Sequence, residues 1–426
     1  MISASAAFLS ANATLRKEPV FLFIISGYSR AFTNKKTGIA SQLDWIVSIG
    51  DLSTQVSDME GGADLGQLVV TVQDQLGQIT AAFPNFVFEG RRVTLSTGFV
   101  GMPQSSFVTL FTGVIDNVAS SNQNSCYDFT CTDNTQRLSQ VIYTVADNGR
   151  ATDSDNHRTL NGHPLDILLA IFSTELGLAA TDYNSAKIIA YRDSYFAGVQ
   201  FTFDLDSPPN AQEFIEKEIM QPLGGYLWTN NLGQLDVNFF NPRNVTPVMT
   251  LDANNTLGPP EHEIPVAAQA DLINTASFRF DKDDEGKFTS EHVETYPASI
   301  SKYGQFGQEV VESQGLRSGL QGFVTAAFTS DLIFIRYGLK QLKFDQNFDC
   351  DWTACVLEPG DIIAVTNPFI PDRTLGIVGV SSKPFEVLDR SLSFESGTVT
   401  LSLTEFASFP VSALSAMHFN STVTLG

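Results

Sequence analysis

The chain of 426 residues is poor in charged side chains, and basic ones are the scarcest. Charged residues make up 17% of it, and 25 Lys and Arg residues face 47 Asp and Glu residues, which leaves a formal net charge of −22. A field of this sign repels phosphate groups, so it argues against a protein that wraps DNA or coats an anionic lipid surface. It is compatible with a channel that DNA passes through without adhering.

Long apolar runs are missing too. The longest near the N-terminus, residues 20–25, has six residues, which is too short for the core of a signal peptide or for a bilayer span. The first residues carry no basic cluster that would mark a targeting signal. We therefore expect residues 20–25 to form a buried strand in a protein that is made in the cytoplasm and has no stable membrane anchor.

Catalytic motifs are absent from the sequence. It has no nucleophile elbow, no paired-His zinc helix and no phosphate-binding Gly loop, and its five His residues are widely scattered. Residues 281–286 (DKDDEG) imitate the start of a calcium loop, but His292 stands where a bidentate Glu belongs. The carboxylates Asp204, Asp206, Glu261 and Glu263 lie in Pro-containing, turn-like sequence, so we interpret them as solvated loop charges. We predict no catalytic, cofactor-binding or metal-binding residues and no cofactor.

Only four cysteines occur, as Cys126 with Cys131 and as Cys350 with Cys355. Residues five apart in a regular strand point to opposite faces, so neither pair can close on itself without a bend. The spacing also differs from that of zinc knuckles. Buried thiols are the favoured interpretation, and a disulfide or a metal or iron–sulfur cluster remain alternatives.

Strand patterns, by contrast, are abundant. Residues 107–138 and 350–365 both alternate apolar and polar side chains around tight turns, as antiparallel sheets with one wet face do. Hydrophobic residues make up 43% of the chain and 33 of them are Phe. With so few charges, the surface must rely on Ser, Thr, Asn and Gln.

The length predicts more than one domain. Residues 1–147 predict a first β-barrel or sandwich module of hairpins. Residues 148–245 are predicted to form an α+β insertion that opens with a polar linker at 148–161. It contains one helix that begins at Pro164 and a second that begins at Asn210. The Asn210 side chain is predicted to cap the second helix and to form a capping box with Glu213. Residues 246–426 predict a second β-barrel module with one helix at about residues 330–343. The expected fold class is thus mainly β with an α+β insertion between two β modules.

In this order, the motifs resemble the tail-tip or baseplate hub proteins of long-tailed bacteriophages, which are similar in fold to the central hub of contractile tails. The resemblance covers about residues 15–410 and rests on residues 111–116 (FTGVID), 163–169 (HPLDILL), 224–235 (GGYLWTNNLGQL) and 357–361 (LEPGD).

The resemblance implies a non-enzymatic virion protein that acts as a homotrimer, in which two tail-tube-like barrels per chain form a pseudo-six-fold ring. Its implied partners are the distal tail and tail-tube ring proteins, the tail fibre or central spike and the tape-measure protein, with DNA only in transit. A tail-associated carbohydrate-binding adhesin or a hydrolase is the alternative. An adhesin would need a ring of exposed aromatics, and a hydrolase would need carboxylates that converge in a cleft.

Overall fold

The computed structural model describes residues 1–12, 18–37, 39, 41–57, 61–63, 66–121, 125–144, 158–240, 246–258, 272–283, 285–305, 307–318, 320–372 and 375–406. The predicted linker at 148–161 lies outside these ranges except for its last four residues, and so do Glu261 and Glu263. Within the described ranges, no helix combines the length and apolarity that crossing a membrane requires.

Strands dominate the described chain, which confirms the predicted fold class. The strands are β1 (Pro19–Ile25), β2 (Ala31–Thr33), β3 (Gln42–Leu43), β4 (Ile46–Ile49), β5 (Leu52–Ser57), β6 (Gly62–Ala63), β7 (Gln67–Gln73), β8 (Arg92–Phe99), β9 (Val108–Ser121), β10 (Cys126–Thr132), β11 (Arg158–Gly162), β12 (Phe201–Leu205), β13 (Gly225–Thr229), β14 (Leu235–Phe239), β15 (Met249–Leu251), β16 (Thr275–Lys282), β17 (Phe288–Thr295), β18 (Gln308–Glu312), β19 (Lys343–Asp351), β20 (Ile362–Asp372), β21 (Ile377–Ser393) and β22 (Thr398–Glu405). The helices are α1 (Ala6–Asn12), α2 (Gln78–Ala82), α3 (Pro164–Ala170), α4 (Ser185–Ser194), α5 (Ala211–Glu213), α6 (Pro297–Tyr303) and α7 (Leu320–Tyr337).

The first sheet has eight strands in the order β3-β2-β1-β8-β9-β10-β7-β4. Its two edge strands, β3 and β4, are joined by only Asp44 and Trp45, so the sheet must curl until its edges approach each other. Trp45 is buried inside the curl, where it stacks on Phe32, whose ring also stacks on Phe129. Among the described residues, no hydrogen-bonded strand pair closes this sheet into a full barrel.

The second sheet repeats the strand order of the first. It runs β15-β20-β21-β22-β19, so β19–β22 pair in the same antiparallel order as β7–β10 in the first sheet. In both sheets, a short helix follows the first of the four strands: α2 in one and the 3-10 helix Trp352–Val356 in the other. We call β7–β10 the first unit and β19–β22 the second unit.

The match between the two units extends to individual pairs. Thr97 pairs with Val108 beyond a bulge in β9, and Asn367 pairs with Val380 beyond a bulge in β21. A second bulge interrupts β9–β10 and β21–β22 at corresponding positions, so residues 114–132 and 386–404 align without insertion or deletion. Few chance resemblances would reproduce both bulges, because a bulge is a local feature of one strand pair.

The turn before the second strand of each unit is also shared. Gly90 and Gly360 both adopt a positive φ, of 74° and 85°, which glycine tolerates at little cost. The amide of Gly90 donates to the Ile115 carbonyl at 2.8 Å, and the amide of Gly360 donates to the Val387 carbonyl at 2.7 Å. The predicted LEPGD motif is therefore a turn that locks the second and third strands of its unit.

One hydrophobic core joins both sheets. It includes Phe23 and Leu95 of the first sheet together with Phe344 and Leu401 of the second. In addition, β5 leaves the first part of the chain and pairs with β21, which ties the two sheets by backbone hydrogen bonds.

A second core belongs to the insertion, which has two hairpin-like pairs, β11–β12 and β13–β14, and the helices α3 to α5. The predicted helix starts hold: Pro164 begins α3, and the Asn210 side chain accepts from the Glu213 amide at 3.2 Å. Glu213, expected to reach back to the cap, has its side chain bonded to Lys217 instead.

Residues 275–337 also pack in this second core, although the sequence analysis assigns them to the last module. Strands β16–β18 form a separate three-stranded sheet, and Phe278, Phe280 and Phe334 contact the insertion side of the molecule. The Phe-rich face of β16 and the apolar face of α7 pack against residues of the insertion, although the insertion ends well before them in the sequence.

Two local predictions are wrong. The helix predicted at about 330–343 is α7, which begins at Leu320 and ends at Tyr337. A Cβ on Gly338 would collide with the Tyr296 ring, so the chain turns there, and Leu342 already leads into β19. The strand predicted through Cys355 ends at Asp351, whose side chain accepts from the Thr353 amide and starts a 3-10 helix. The two cysteine pairs are consequently not equivalent positions of the two units.

Candidate interaction surface

The acidic turn at residues 281–286 is a hairpin tip, as interpreted from the sequence. The Asp283 side chain accepts from the amides of Glu285 and Lys287 at 3.0 and 2.8 Å. The Asp281 side chain accepts from the Ser290 hydroxyl and from the Ser318 amide. Both carboxylates thus accept hydrogen bonds from the protein's own donors.

Of the other candidate carboxylates, Asp204 and Asp206 lie within the described residues. Asp204 pairs with Arg317 at 2.7 Å on the rim of a 240 Å³ depression that Asp206 and the neighbouring Glu218 also line. Burial raises the pKa of Glu218, and its two oxygens accept from the Gln314 amide and side chain. In the part of the chain that the structure describes, no three His, Cys, Asp or Glu side chains converge as metal ligands.

All four cysteines are buried thiols. Cys126 and Cys131 lie in β10, whereas Cys350 lies in β19 and Cys355 in the 3-10 helix that follows it. Burial raises the pKa of Cys131 to about 12 and also raises the pKa of Cys350. These thiols are therefore poor nucleophiles in the folded chain.

We expect Cys131 and Cys350 to react with a thiol reagent at pH 8 only when the chain unfolds, because the reacting species is the thiolate and both side chains are sealed in the core. Timed labelling with and without urea, with the modified residues identified by peptide mass, measures this. Labelling of either residue in native protein as fast as in urea would contradict it.

The joint between the two units is built around Trp352. This residue is 2% exposed and packs its ring on Phe21 of β1 and on Phe394, with centroid distances of 5.4 and 5.7 Å. Its indole N–H donates to the Thr97 hydroxyl of β8 at 3.2 Å. Beside it, Phe8 of α1 covers Phe99 at the end of β8. The second unit thus docks on the β8 side of the first.

A buried arginine secures the turn behind this joint. Arg390 of β21 donates through Nη1 to the carbonyls of Cys355 and Leu357, at 3.1 and 2.7 Å. Burial lowers the pKa of Arg390, and the nearby Glu358 and Asp361 oppose that shift. Glu358, whose own pKa is raised by burial, also lies 3.5 Å from the chain's amino group. The guanidinium therefore sits among carbonyl and carboxylate oxygens with little water.

An exposed apolar surface lies on the β20–β21 hairpin. Four of its side chains, which we call the arm patch, are mostly solvent-exposed: Phe369, Leu375, Ile377 and Val378, at 65, 69, 54 and 78%. The opposite face of the same hairpin is buried through Ile370 and Val380. Clustered apolar exposure of this kind marks an interaction surface more often than it marks a bare monomer face.

An acidic contact joins α7 to the three-stranded sheet. Burial and the neighbouring Glu294 of β17 raise the pKa of Asp331 to about 7. Glu294 also lies 3.3 Å from His292 in the same strand. Asp331 is therefore expected to hold a proton in the folded chain at a pH where it is ionised in the unfolded chain.

The free energy of unfolding should consequently fall as pH rises from about 4 to about 7, because the unfolded Asp331 loses its proton first. Asp331→Asn should flatten this slope and stabilise the protein at pH 8 by about 1–3 kcal/mol. Urea unfolding at several pH values measures both effects. Glu285→Gln, at an exposed hairpin tip, is the control, and an unchanged slope in the Asp331→Asn variant would contradict the assignment.

No family model and no curated protein matches this sequence. The fold does match solved structures. The 43 kDa tail protein of prophage MuSo2 from Shewanella oneidensis is 11% identical, with 92% of this chain and 100% of that chain covered at a TM-score of 0.52. The tail protein from Neisseria meningitidis MC58 is also 11% identical, with 91 and 96% covered at a TM-score of 0.50. This chain has the fold of a phage tail protein.

The motifs that carried the resemblance occupy defined places in this tail-protein fold. FTGVID lies in β9, HPLDILL starts α3 with His163 as its cap, and GGYLWTNNLGQL forms the β13–β14 hairpin. The arm patch escaped the sequence analysis. Its residues are ordinary strand formers, and only their exposure in the folded chain sets them apart. The available signal was that β21 extends beyond its residues 385–393, which pair with β22.

Proposed function

We propose that this chain is the structural hub of a phage tail tip or baseplate. Three copies form a pseudo-six-fold ring that joins the tail tube to the distal fibre or spike and lines the channel through which DNA leaves. The observation that supports this most directly is the repeated four-strand unit, since three chains then supply six similar units to a closed ring.

The proposed domain division follows from the same repeat. The first sheet module takes residues 1–147 and the second takes the C-terminal strands from Lys343 onward together with β15. The insertion, residues 148–245, is extended by residues 275–337, which share its core. We assign the protein no enzymatic activity and no cofactor, because the work we propose for it is mechanical.

The proposed partners are further copies of the chain, the distal tail and tail-tube ring proteins, the tape-measure protein and the fibre or spike, in the virion tail. The test is a mass measurement of the purified chain, alone and with a tail-tube protein, together with its copy number in assembled tails. Copies in threes are expected. Two or six copies per tail would contradict the proposed trimer.

For the channel, we expect lumen-facing positions to be mainly acidic or polar, with the 25 basic residues at contacts between chains or on the outside. A wall of Lys and Arg would hold phosphates through counterion release, whereas an acidic wall lets DNA slide. The competing explanation is that the charge only keeps the surface soluble. Mapping the potential on an assembled ring decides between them, and a positive lumen would contradict the expectation.

A further inference from the structure

The two units of one chain meet through surfaces that each unit possesses. The second unit contributes Trp352, which follows its first strand, and Phe394, which follows its third. The first unit contributes its second strand, β8, through Thr97. Because the units share one topology, each also has the surface that the other uses here.

Those two counterparts are only partly covered in the single chain. Asn367 and Asp74, at the register positions of Thr97 and Trp352, are buried, but apolar side chains beside them are exposed. Phe369 lies two residues beyond Asn367, inside the bulge between Asn367 and Pro371, and is 65% exposed, whereas Phe99, two residues beyond Thr97, is 7% exposed. Helix α1 covers Phe99 through Phe8, whereas β15 reaches only residues 363–365 of β20. The second unit therefore presents a bare β20–β21 surface, which is the arm patch.

The first unit presents the matching half. The segment that follows β7 corresponds to the one that carries Trp352 after β19, because Gln73 and Asp351 hold equivalent register positions. This segment, residues 74–88 with α2, exposes the apolar side chains Leu76, Phe83 and Val87 at 72, 39 and 64%. We call these three the α2 patch.

We propose that the arm patch of one copy binds the α2 patch of the next copy, which repeats between chains the contact that joins the two units within a chain. This proposal rests on the proposed ring and names the surfaces that close it. A contact between two different patches is heterologous, so it generates a ring when the rotation closes.

Charge favours this choice of occupant. Copies that each carry −22 repel one another, so they can approach most easily through surfaces without net charge. The charged groups under the arm are ion-paired within the chain, since Lys383 bridges Asp372 and Glu405 at 3.0 and 2.7 Å. The arm patch itself consists of four uncharged side chains.

The test is interchain disulfide formation in the full-length chain. A variant with both Leu76→Cys and Phe369→Cys is oxidised at the concentration where the wild type assembles, then run without reductant. Species of two and three linked chains are expected, with three as the limit. Mixing the two single variants should give linked pairs only, and the pair Phe369→Cys with Val293→Cys, exposed on β17, is the control that should not link. The native thiols are buried and do not compete.

A second variant tests the energetics. Phe369→Asp should raise the concentration needed for half-assembly at least tenfold, because it places a charge in an apolar contact. Leu375→Ser is the milder companion on the same hairpin, and unchanged circular dichroism shows that each variant folds.

The outcomes separate this contact from the ring itself. A wild type of three chains with no link between positions 76 and 369 overturns the arm contact and leaves the ring standing. Linked ladders longer than three chains support the contact and overturn the trimer. Links in the Phe369→Cys variant alone, or links only to an added tail-tube protein, overturn the α2 patch as the occupant. A monomeric wild type without links overturns both proposals.

Discussion

Trp352→Ala is expected to lower the free energy of unfolding by about 3–5 kcal/mol, the usual range for removing a buried aromatic side chain. The ring fills the joint between the two sheets, where it touches Phe21 and Phe394 and donates to Thr97. Its loss leaves a cavity in the core that both sheets share, and the Thr97 hydroxyl loses its hydrogen-bond donor.

Urea unfolding monitored by circular dichroism and by the fluorescence of Trp45 and Trp228 measures this loss. Because the chain has two large cores, two transitions can appear, and the one reported by Trp45 in the shared core is expected to shift. Trp352→Phe keeps an aromatic ring but loses the N–H donor and part of the indole volume, so it should cost less than the alanine variant, about 1–3 kcal/mol. An alanine variant that unfolds like the wild type would show that the joint does not stabilise the chain.

Arg390→Met should be about as damaging, at about 3–5 kcal/mol, although methionine fills most of the space. Removing one member of a buried charged group leaves its partners desolvated and unpaired. Here the partners are the Cys355 and Leu357 carbonyls, and the carboxylate of Glu358 loses its nearby cation. The turn that carries Gly360 would lose one of its anchors to β21 and keep the backbone bonds to Val387.

Adding Glu358→Gln to Arg390→Met gives the matched control. Neutralising the carboxylate should recover part of the lost stability, while Glu358→Gln alone in the arginine-containing chain should not stabilise to the same extent. Urea midpoints of the four proteins form a double-mutant cycle. Additive effects would show that Glu358 is not coupled to Arg390, and a loss under about 1 kcal/mol for Arg390→Met would show that the guanidinium is not needed for the turn.

Much of this architecture follows from local sequence. The period-two alternation in residues 108–121 and 126–131 specifies β9 and β10, because a strand with one wet face must alternate. Pro164 and Asn210 mark helix starts for reasons internal to a single turn, namely a missing N–H and a capping carboxamide. The acidic hairpin tip at 281–286 and the buried strand β1 are equally local.

Other features depended on contacts that no local pattern records. The cysteine pairs do not mark the repeat of the two units, because their positions in the units differ; the repeat is carried by register, bulges and the Gly90 and Gly360 turns. The pairing of β5 with β21 of the second sheet joins segments far apart in sequence, and so does the packing of residues 275–337 with the insertion.

The sequence by itself determined the class of the protein: strands with one wet face, an acidic surface, buried thiols and a motif order that matches a tail-protein fold. Only the tertiary structure decided which surfaces are buried by contacts within the chain and which stay exposed to solvent. Phe99 and Phe369 each lie two residues beyond corresponding positions of β8 and β20, and sequence cannot distinguish their exposure. The difference arises because α1 reaches one of them and no described element reaches the other, and burial is a property of the whole arrangement.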